Sequence, residues 1–264
     1  MGVGAGAALV TGAARRLGRA MAMDLARQGW SVAIHYATAE DEARDAVNEA
    51  LRLGAPRAAA LQADLCDEAQ TAGLVARAAQ ALGAPLSLLV NNASIFEYDR
   101  LETADRRSWD RHMESNLRAP FRLTQDFAAQ APEPERDEEG RPRAAAYVVN
   151  MIDQRVWKPT PEFITYSIAK HGLWAATRML AQALAPRIRV NAIGPGPTLR
   201  GARQSQEHFD RQRDAVPLGR GASPGEICAA LRYILSADAM TGQMIALDGG
   251  QHLAWRTPDV LGIE

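Results

Sequence analysis

Along this chain of 264 residues, short apolar runs alternate with longer stretches in which apolar positions recur at helical spacing. Ala7-Ala8-Leu9-Val10 is such a run, and Thr11-Gly12 closes it, as expected of a buried strand entering a turn. Leu17, Met21 and Leu25 then recur four apart, which predicts a helix over residues 17–28. The same reasoning predicts further strands over 31–36, 58–63, 86–90, 144–151, 188–193 and 244–247. Helices are predicted over 40–53, 67–82, 109–116, 120–131, 163–184 and 224–236. Residues 132–143 are rich in Pro and charge and read as a surface loop, while 194–221 reads as irregular with a short helix over 204–211. Strands alternating with helices predict an α/β fold, a doubly wound parallel sheet of about seven strands covered on both faces. No repeat or linker divides the chain, so residues 1–264 read as one domain, with a substrate lid around 194–222. In such sheets, ligands bind beyond the carboxyl ends of the strands.

Composition narrows the choice of partner. Hydrophobic residues make up 47% of the chain, enough for a sizeable core, and the formal net charge of −1 gives no overall basic field for nucleic acid. No apolar run reaches the roughly 18–20 residues that cross a bilayer. Residues 1–10 lack a basic segment and read as the approach to the first strand rather than as a signal peptide. Cys66 and Cys228 lie far apart, and His35, His112, His171, His208 and His252 show no ligand spacing, so no metal site is expected. These features suit a cytoplasmic protein acting on a small molecule.

The chemistry concentrates at the predicted strand ends. In Thr11-Gly12-Ala13-Ala14-Arg15-Arg16-Leu17-Gly18, Gly12 permits a tight turn, Gly18 a close helix approach, and the helix start offers N–H groups to a phosphate. The second strand ends in His35-Tyr36-Ala37-Thr38, with no acid before Glu40 to repel a 2′-phosphate. Tyr166 and Lys170 are four apart and share a helix face. An ammonium beside a tyrosine lowers its pKa from about 10 and makes it a workable general acid. Asp153 stands thirteen positions before Tyr166. An ionised aspartate only accepts hydrogen bonds and opposes a developing alkoxide, whereas a protonated carboxyl can share a proton with an imine nitrogen. Burial would raise its pKa and Lys170 would lower it. Structural roles as turn or helix caps stay open for Asp153 and Asp64.

The Gly-rich turn, Asn91-Asn92-Ala93 and the Tyr166-x-x-x-Lys170 segment resemble the short-chain dehydrogenase/reductase family over nearly the whole chain. The resemblance implies a Rossmann-type fold, and it implies NADP(H) with Arg15 at the 2′-phosphate and Asp64 at the adenine amino group. Asn116 falls where the family builds a proton relay to the lysine, which gives Asp153, Tyr166, Lys170 and Asn116 as catalytic candidates. The implied cofactor wall is Gly12, Arg15, Arg16, Leu17, Gly18, His35, Tyr36, Asp64, Leu65, Asn92, Ala93, Ser94, Tyr166, Lys170, Pro195 and Gly196. Most of the family has a serine where this chain has Asp153.

Together with Arg16, Phe96 and the tail from Asp248 to Leu253, that aspartate resembles the pteridine and dihydromonapterin reductases. By that likeness Arg16, Phe96, Asp153 and Tyr166 contact substrate, with Phe96 stacked on a pterin. The implied activity is NADPH-dependent reduction of a C=N bond in a pterin or dihydropterin of the biopterin, monapterin or folate type. The alternatives are a carbonyl reductase of a 3-oxoacyl thioester or sugar, and a non-catalytic NADPH sensor or scaffold, against which the intact Tyr166 and Lys170 count. The chain departs from these relatives in Ala37-Thr38-Ala39 and in the stretch from Gln154 to Pro159. The family also implies a homotetramer built on helices 120–131 and 163–184, where Ala169, Ala175, Ala176 and Ala183 would permit close packing.

Overall fold

The computed structural model describes residues 5–201 and 203–257. The first four residues, position 202 of the expected lid and the end of the expected domain from 258 lie outside the described residues. Seven strands form one sheet: β1 (Ala7–Val10), β2 (Ser31–Tyr36), β3 (Ala58–Gln62), β4 (Leu88–Asn91), β7 (Ala146–Met151), β8 (Ile188–Pro195) and β9 (Met244–Leu247). Their order is β3-β2-β1-β4-β7-β8-β9, with every pair parallel. The order reverses direction between β1 and β4, and ligands of such sheets bind at that crevice. Two short strands, β5 (Glu135–Arg136) and β6 (Pro142–Arg143), pair as an antiparallel ribbon inside the stretch expected as loop.

Side chains alternate across β1, and both faces are buried. Ala8 and Val10 pack in a cluster with Met21 and Leu25 of α1 (Arg16–Arg27) and with Ile227, Leu231 and Ile234 of α9 (Pro224–Ser236). Ala7 and Leu9 pack with Leu74 and Val75 of α4 (Leu74–Leu82), Leu123 and Phe127 of α6 (Ala119–Gln130), and Ala181 of α7 (Ile164–Leu184). A strand covered on both sides has no polar face to present, which is why it reads as a continuous apolar run.

The departures from the sequence reading have local causes. The helix predicted over 67–82 is two: α3 (Glu68–Thr71), capped by Asp67 accepting from the Ala69 N–H at 2.8 Å, and α4. Gly73 stands between them at φ +79°, a conformation that ends one helix and starts the next. The helix predicted over 109–116 starts earlier, as α5 (Arg106–Met113), because Asp105 and Ser108 form a reciprocal capping box. A π-helical turn, Glu114–Arg118, joins α5 to α6 and carries Asn116. Helix α2 (Glu40–Arg52) packs beside α1, and α8 (Gln206–Asp214) begins at the Ser205 cap. Among the described residues no helix is long and apolar enough to cross a membrane, and no cluster of His, Cys, Asp or Glu could hold a metal ion.

Candidate active site

Two adjoining cavities open at the carboxyl ends of the strands and share Arg16, Leu17, Asn92 and Ser94 as a common wall. The larger, about 800 Å3, runs along the ends of β1, β2, β3 and β4. Its floor is the turn from Gly12 to Gly18. Gly12 has φ +62°, and a Cβ on Gly18 would meet the Gly12 carbonyl oxygen at 2.3 Å, so both positions require glycine. The Thr11 hydroxyl accepts from the N–H groups of Asn92 and Ala93 at 2.9 Å each, while the Asn92 amide donates to the Thr11 carbonyl at 2.8 Å. These bonds tie the end of β1 to the end of β4. The start of α1 has no side-chain cap and no acid in its first turn, so its N–H groups remain available to an anion.

His35 braces this floor from beneath. Its Nδ1 accepts the Gly12 N–H at 3.0 Å, so the ring proton sits on Nε2, which faces the Ala63 carbonyl at 3.0 Å. Burial pushes its pKa down to about 4, which keeps the ring neutral. Arg15 lines the cavity but pairs with Glu42 of α2. The sequence reading found no acid at the end of β2, yet an acid two positions beyond Glu40 reaches back across the turn. Asp64 and Leu65 also lie on the wall, and Asp64 accepts from the Cys66 N–H at 2.9 Å instead of capping a helix. Tyr36 lies off the wall, half-buried against the core.

The smaller cavity, about 320 Å3, holds the reactive groups. Tyr166 Oη donates to Asp153 Oδ2 at 2.9 Å, and Asp153 Oδ1 accepts from the Arg155 N–H at 2.8 Å. Lys170 Nζ donates to the Met151 carbonyl at 2.8 Å and lies 5.7 Å from the Tyr166 ring centroid. This changes the electrostatic picture drawn from spacing alone. Burial, and then the Asp153 charge, raise the Tyr166 pKa well above the usual phenol range. Burial draws Lys170 down to about 8 and raises Asp153 against the opposing pull of Arg155, Tyr166 and Lys170. Burial thus disfavours the charged form of each group, while Lys170 stays an ammonium below about pH 8 and the phenol proton lies on the hydrogen bond to Asp153. Asn116 is fully buried off the wall, with its amide bonded to both backbone groups of Ile95 at 2.8–2.9 Å.

Phe96 stands at the mouth, 48% exposed. One face is stacked on Phe163 (centroids 4.2 Å apart, planes 9°), and Tyr166 meets it edge-on at 4.7 Å. Phe163 begins α7 at φ +55°, a strained conformation for a non-glycine residue, and its N–H donates to the Asp99 carbonyl at 2.8 Å. Beneath these rings runs a buried chain of hydrogen bonds. The Glu97 N–H donates to His112 Nε2 at 3.1 Å, so His112 donates through Nδ1 to the Thr165 hydroxyl at 2.6 Å, which donates in turn to Asp99. The chain joins the Phe96 loop, α5 and the start of α7 one residue from both Phe96 and Tyr166.

Arg16 has φ +55° and donates to the carbonyls of Leu199 and Arg200 at 3.0 and 2.7 Å, tying the Gly-rich turn to the segment expected as a lid. Pro195 and Gly196 line the smaller cavity as well. So do Gln204, Phe209 and Gln212, within the stretch expected as a substrate lid, Gln251, within the tail from Asp248 to Leu253, and Gln154 and Arg155, which the sequence reading did not name as site residues. The only signal for Gln154 and Arg155 in the sequence was their proximity to Asp153.

Comparison with known proteins agrees with this architecture. The family model described as enoyl-(acyl carrier protein) reductase matches residues 12–252. The crystal structure of FolM alternative dihydrofolate reductase 1 from Brucella suis in complex with NADP superposes with a TM-score of 0.89 at 47% identity, covering 99% of this chain and 100% of that one. An uncharacterized oxidoreductase of Methylorubrum extorquens is 32% identical over 251 residues, which is 92% of this chain and 96% of that protein. The 3-oxoacyl-[acyl-carrier-protein] reductase FabG of Staphylococcus aureus is 30% identical over 251 residues, 93% of this chain and 98% of that protein. The parallel sheet, the glycine turn and the Tyr166–Lys170 pair thus have a common origin: this chain belongs to the short-chain dehydrogenase/reductase family of oxidoreductases.

Proposed function

We propose that this protein is an NADPH-dependent reductase of a C=N bond in a pterin or dihydropterin. The observation that carries the reading is the Tyr166–Asp153 hydrogen bond of 2.9 Å, on the wall of a cavity with an aromatic ring at its mouth. A ketone gains a negative oxygen on reduction, and a carboxylate beside it would oppose that charge. A ring nitrogen gains a proton instead, and a carboxyl of raised pKa beside a protonated phenol can supply one. Phe96 offers an aromatic wall to a flat ring, and Arg16 lines the same cavity.

NADP(H) fits the larger cavity. The N–H groups of Arg16, Leu17 and Gly18 at the uncapped start of α1 suit a pyrophosphate, and Ala37 and Thr38 at the end of β2 carry no carboxylate, the nearby acid Glu42 pairing with Arg15. Gly12, Asn92, Ala93 and Ser94 would lie along it, with Asp64 and Leu65 at the adenine end and Lys170, Pro195 and Gly196 toward the nicotinamide. Arg15 would meet the 2′-phosphate. When bound, the cofactor supplies hydride to the substrate carbon. The chain's own part is to hold the ring against Phe96, exclude water behind Leu199 and Phe209, and deliver a proton from the Tyr166–Asp153 pair, with Asn116 fixing the Ile95 backbone beside it. The Brucella structure, named as a dihydrofolate reductase with NADP, supports this reading. A cytoplasmic homotetramer belongs to the same reading.

The likeness to 3-oxoacyl-[acyl-carrier-protein] reductase favours a second reading, reduction of a ketone. The test is to supply NADPH with dihydrobiopterin, dihydromonapterin or dihydrofolate, and separately with a 3-oxoacyl thioester, and to follow loss of NADPH absorbance. Turnover of a dihydropterin is expected, and Asp153→Ser should shift activity toward the ketone. Ketone turnover with none of the pterins would overturn the first reading.

A further inference from the structure

Gln154 follows Asp153 at the start of a short 3-10 turn, Gln154–Val156, and lines the smaller cavity. Its backbone carbonyl is bonded, accepting from the N–H groups of Trp157 and Lys158 at 2.9 and 3.3 Å. Its side chain is not. The residue is 5% exposed, and its Oε1 is a buried acceptor with no hydrogen-bond partner among the described residues. Four other buried side-chain atoms share that condition, on Ser87, Asn91, Ser167 and Arg189, and none of those residues lines either cavity of the site. An unpartnered buried carboxamide is costly to keep, and a nonpolar side chain of similar length would fold at lower cost. Gln154 and Asp153 are consecutive residues that both line the smaller cavity, and each carries an acceptor oxygen in its side chain.

We infer that Gln154 is a substrate-binding residue whose side-chain oxygen accepts an N–H from the edge of the substrate ring, and that it selects amino-bearing nitrogen heterocycles over rings with oxygen in the same place. The inference rests on the proposed function and sharpens it. A ketone or thioester offers no donor to such a position, whereas an amino-substituted ring pairs with the carboxamide and leaves no orphan on either side. A site built to bond a donor rejects the analogue lacking it, because its own polar group is then stranded.

The test uses the full chain and two variants. Gln154→Met keeps length and volume without hydrogen bonding, and Gln154→Glu keeps an acceptor oxygen. Steady-state rates with a dihydropterin, and with its deaminated dihydrolumazine counterpart, are measured beside NADPH affinity and thermal midpoint. Gln154→Met should raise KM for the dihydropterin on the order of 10-fold with kcat near wild type. It should also erase the preference over the dihydrolumazine and leave NADPH affinity and thermal midpoint unchanged or improved. Gln154→Glu should recover most of the lost affinity. An unchanged KM in Gln154→Met overturns the inference, and so does a lowered midpoint with KM and NADPH affinity shifting together, the mark of a structural residue. A wild-type protein that reduces ketones and no dihydropterin overturns the proposed function itself, and this inference with it. That failure appears in the wild type, before any variant is compared.

Discussion

Lys170 is buried to 2% exposure, with its ammonium on the Met151 carbonyl, and burial draws its pKa to about 8. An unfolded lysine titrates near 10.4, so between these values the unfolded chain binds one proton more than the folded one, and stability rises with pH. Below about 8 both states hold the proton and the folded state bears the full cost of burying it. The unfolding free energy of wild type minus that of Lys170→Met should therefore grow by about 2 kcal/mol between about pH 7 and about pH 9.5. Urea titrations at the two pH values measure it, and a constant difference would contradict the buried ammonium. Arg15 invites a second test. Its partner Glu42 is a surface carboxylate that competes for the guanidinium proposed to meet the 2′-phosphate. Glu42→Gln should tighten NADPH binding several-fold without changing NADH binding, as titration of cofactor fluorescence would reveal. Equal shifts for both cofactors would remove Arg15 from the phosphate site.

At the scale of elements, the site depends on contacts that no single segment encodes. The His112–Thr165–Asp99 chain holds the Phe96 loop, α5 and the start of α7 in one register, with all three side chains buried. Thr165→Val keeps the shape of the side chain and removes the hydroxyl, leaving His112 and Asp99 without their shared partner. We expect a loss of about 1–3 kcal/mol in stability and a raised KM for the ring substrate, with Thr165→Ser restoring both. Normal kinetics in Thr165→Val would show that the chain does not position Phe96. Strands and long helices were legible because their periodicity is local: β1, β2, α9 and β9 match their expected spans. The break at Gly73 was not, since a glycine inside a helical pattern is often tolerated, and here its left-handed conformation decides the matter. The π turn carrying Asn116 leaves no mark in hydrophobic spacing either.

At the scale of the whole molecule, α7 turns one face to the core through Tyr166, Lys170, Leu173, Thr177 and Ala181 and leaves another uncovered. Ile168 and Met179 are 40% and 67% exposed on α7, and Phe121 is 36% exposed on α6. A homotetramer that buries these faces is the expected assembly. Light scattering should give four times the chain mass, with Met179→Glu shifting it toward smaller species, and a monomeric wild type would reject the assembly. The sequence by itself determined the parallel α/β sheet, the glycine turn and the Tyr166–Lys170 pair, because strand periodicity, a turn's need for glycine and fixed helical spacing are all short-range properties of the chain, while Asp153 was named only by resemblance. Only the tertiary structure decided which charges these groups meet. Glu42 reaches Arg15, Asp153 rather than Lys170 meets the Tyr166 hydroxyl, and Gln154 and Phe163 join the site. Protonation and ligand contact depend on burial and on the direction of side chains brought together from distant segments, and those are set only when the sheet and its helices close around the core.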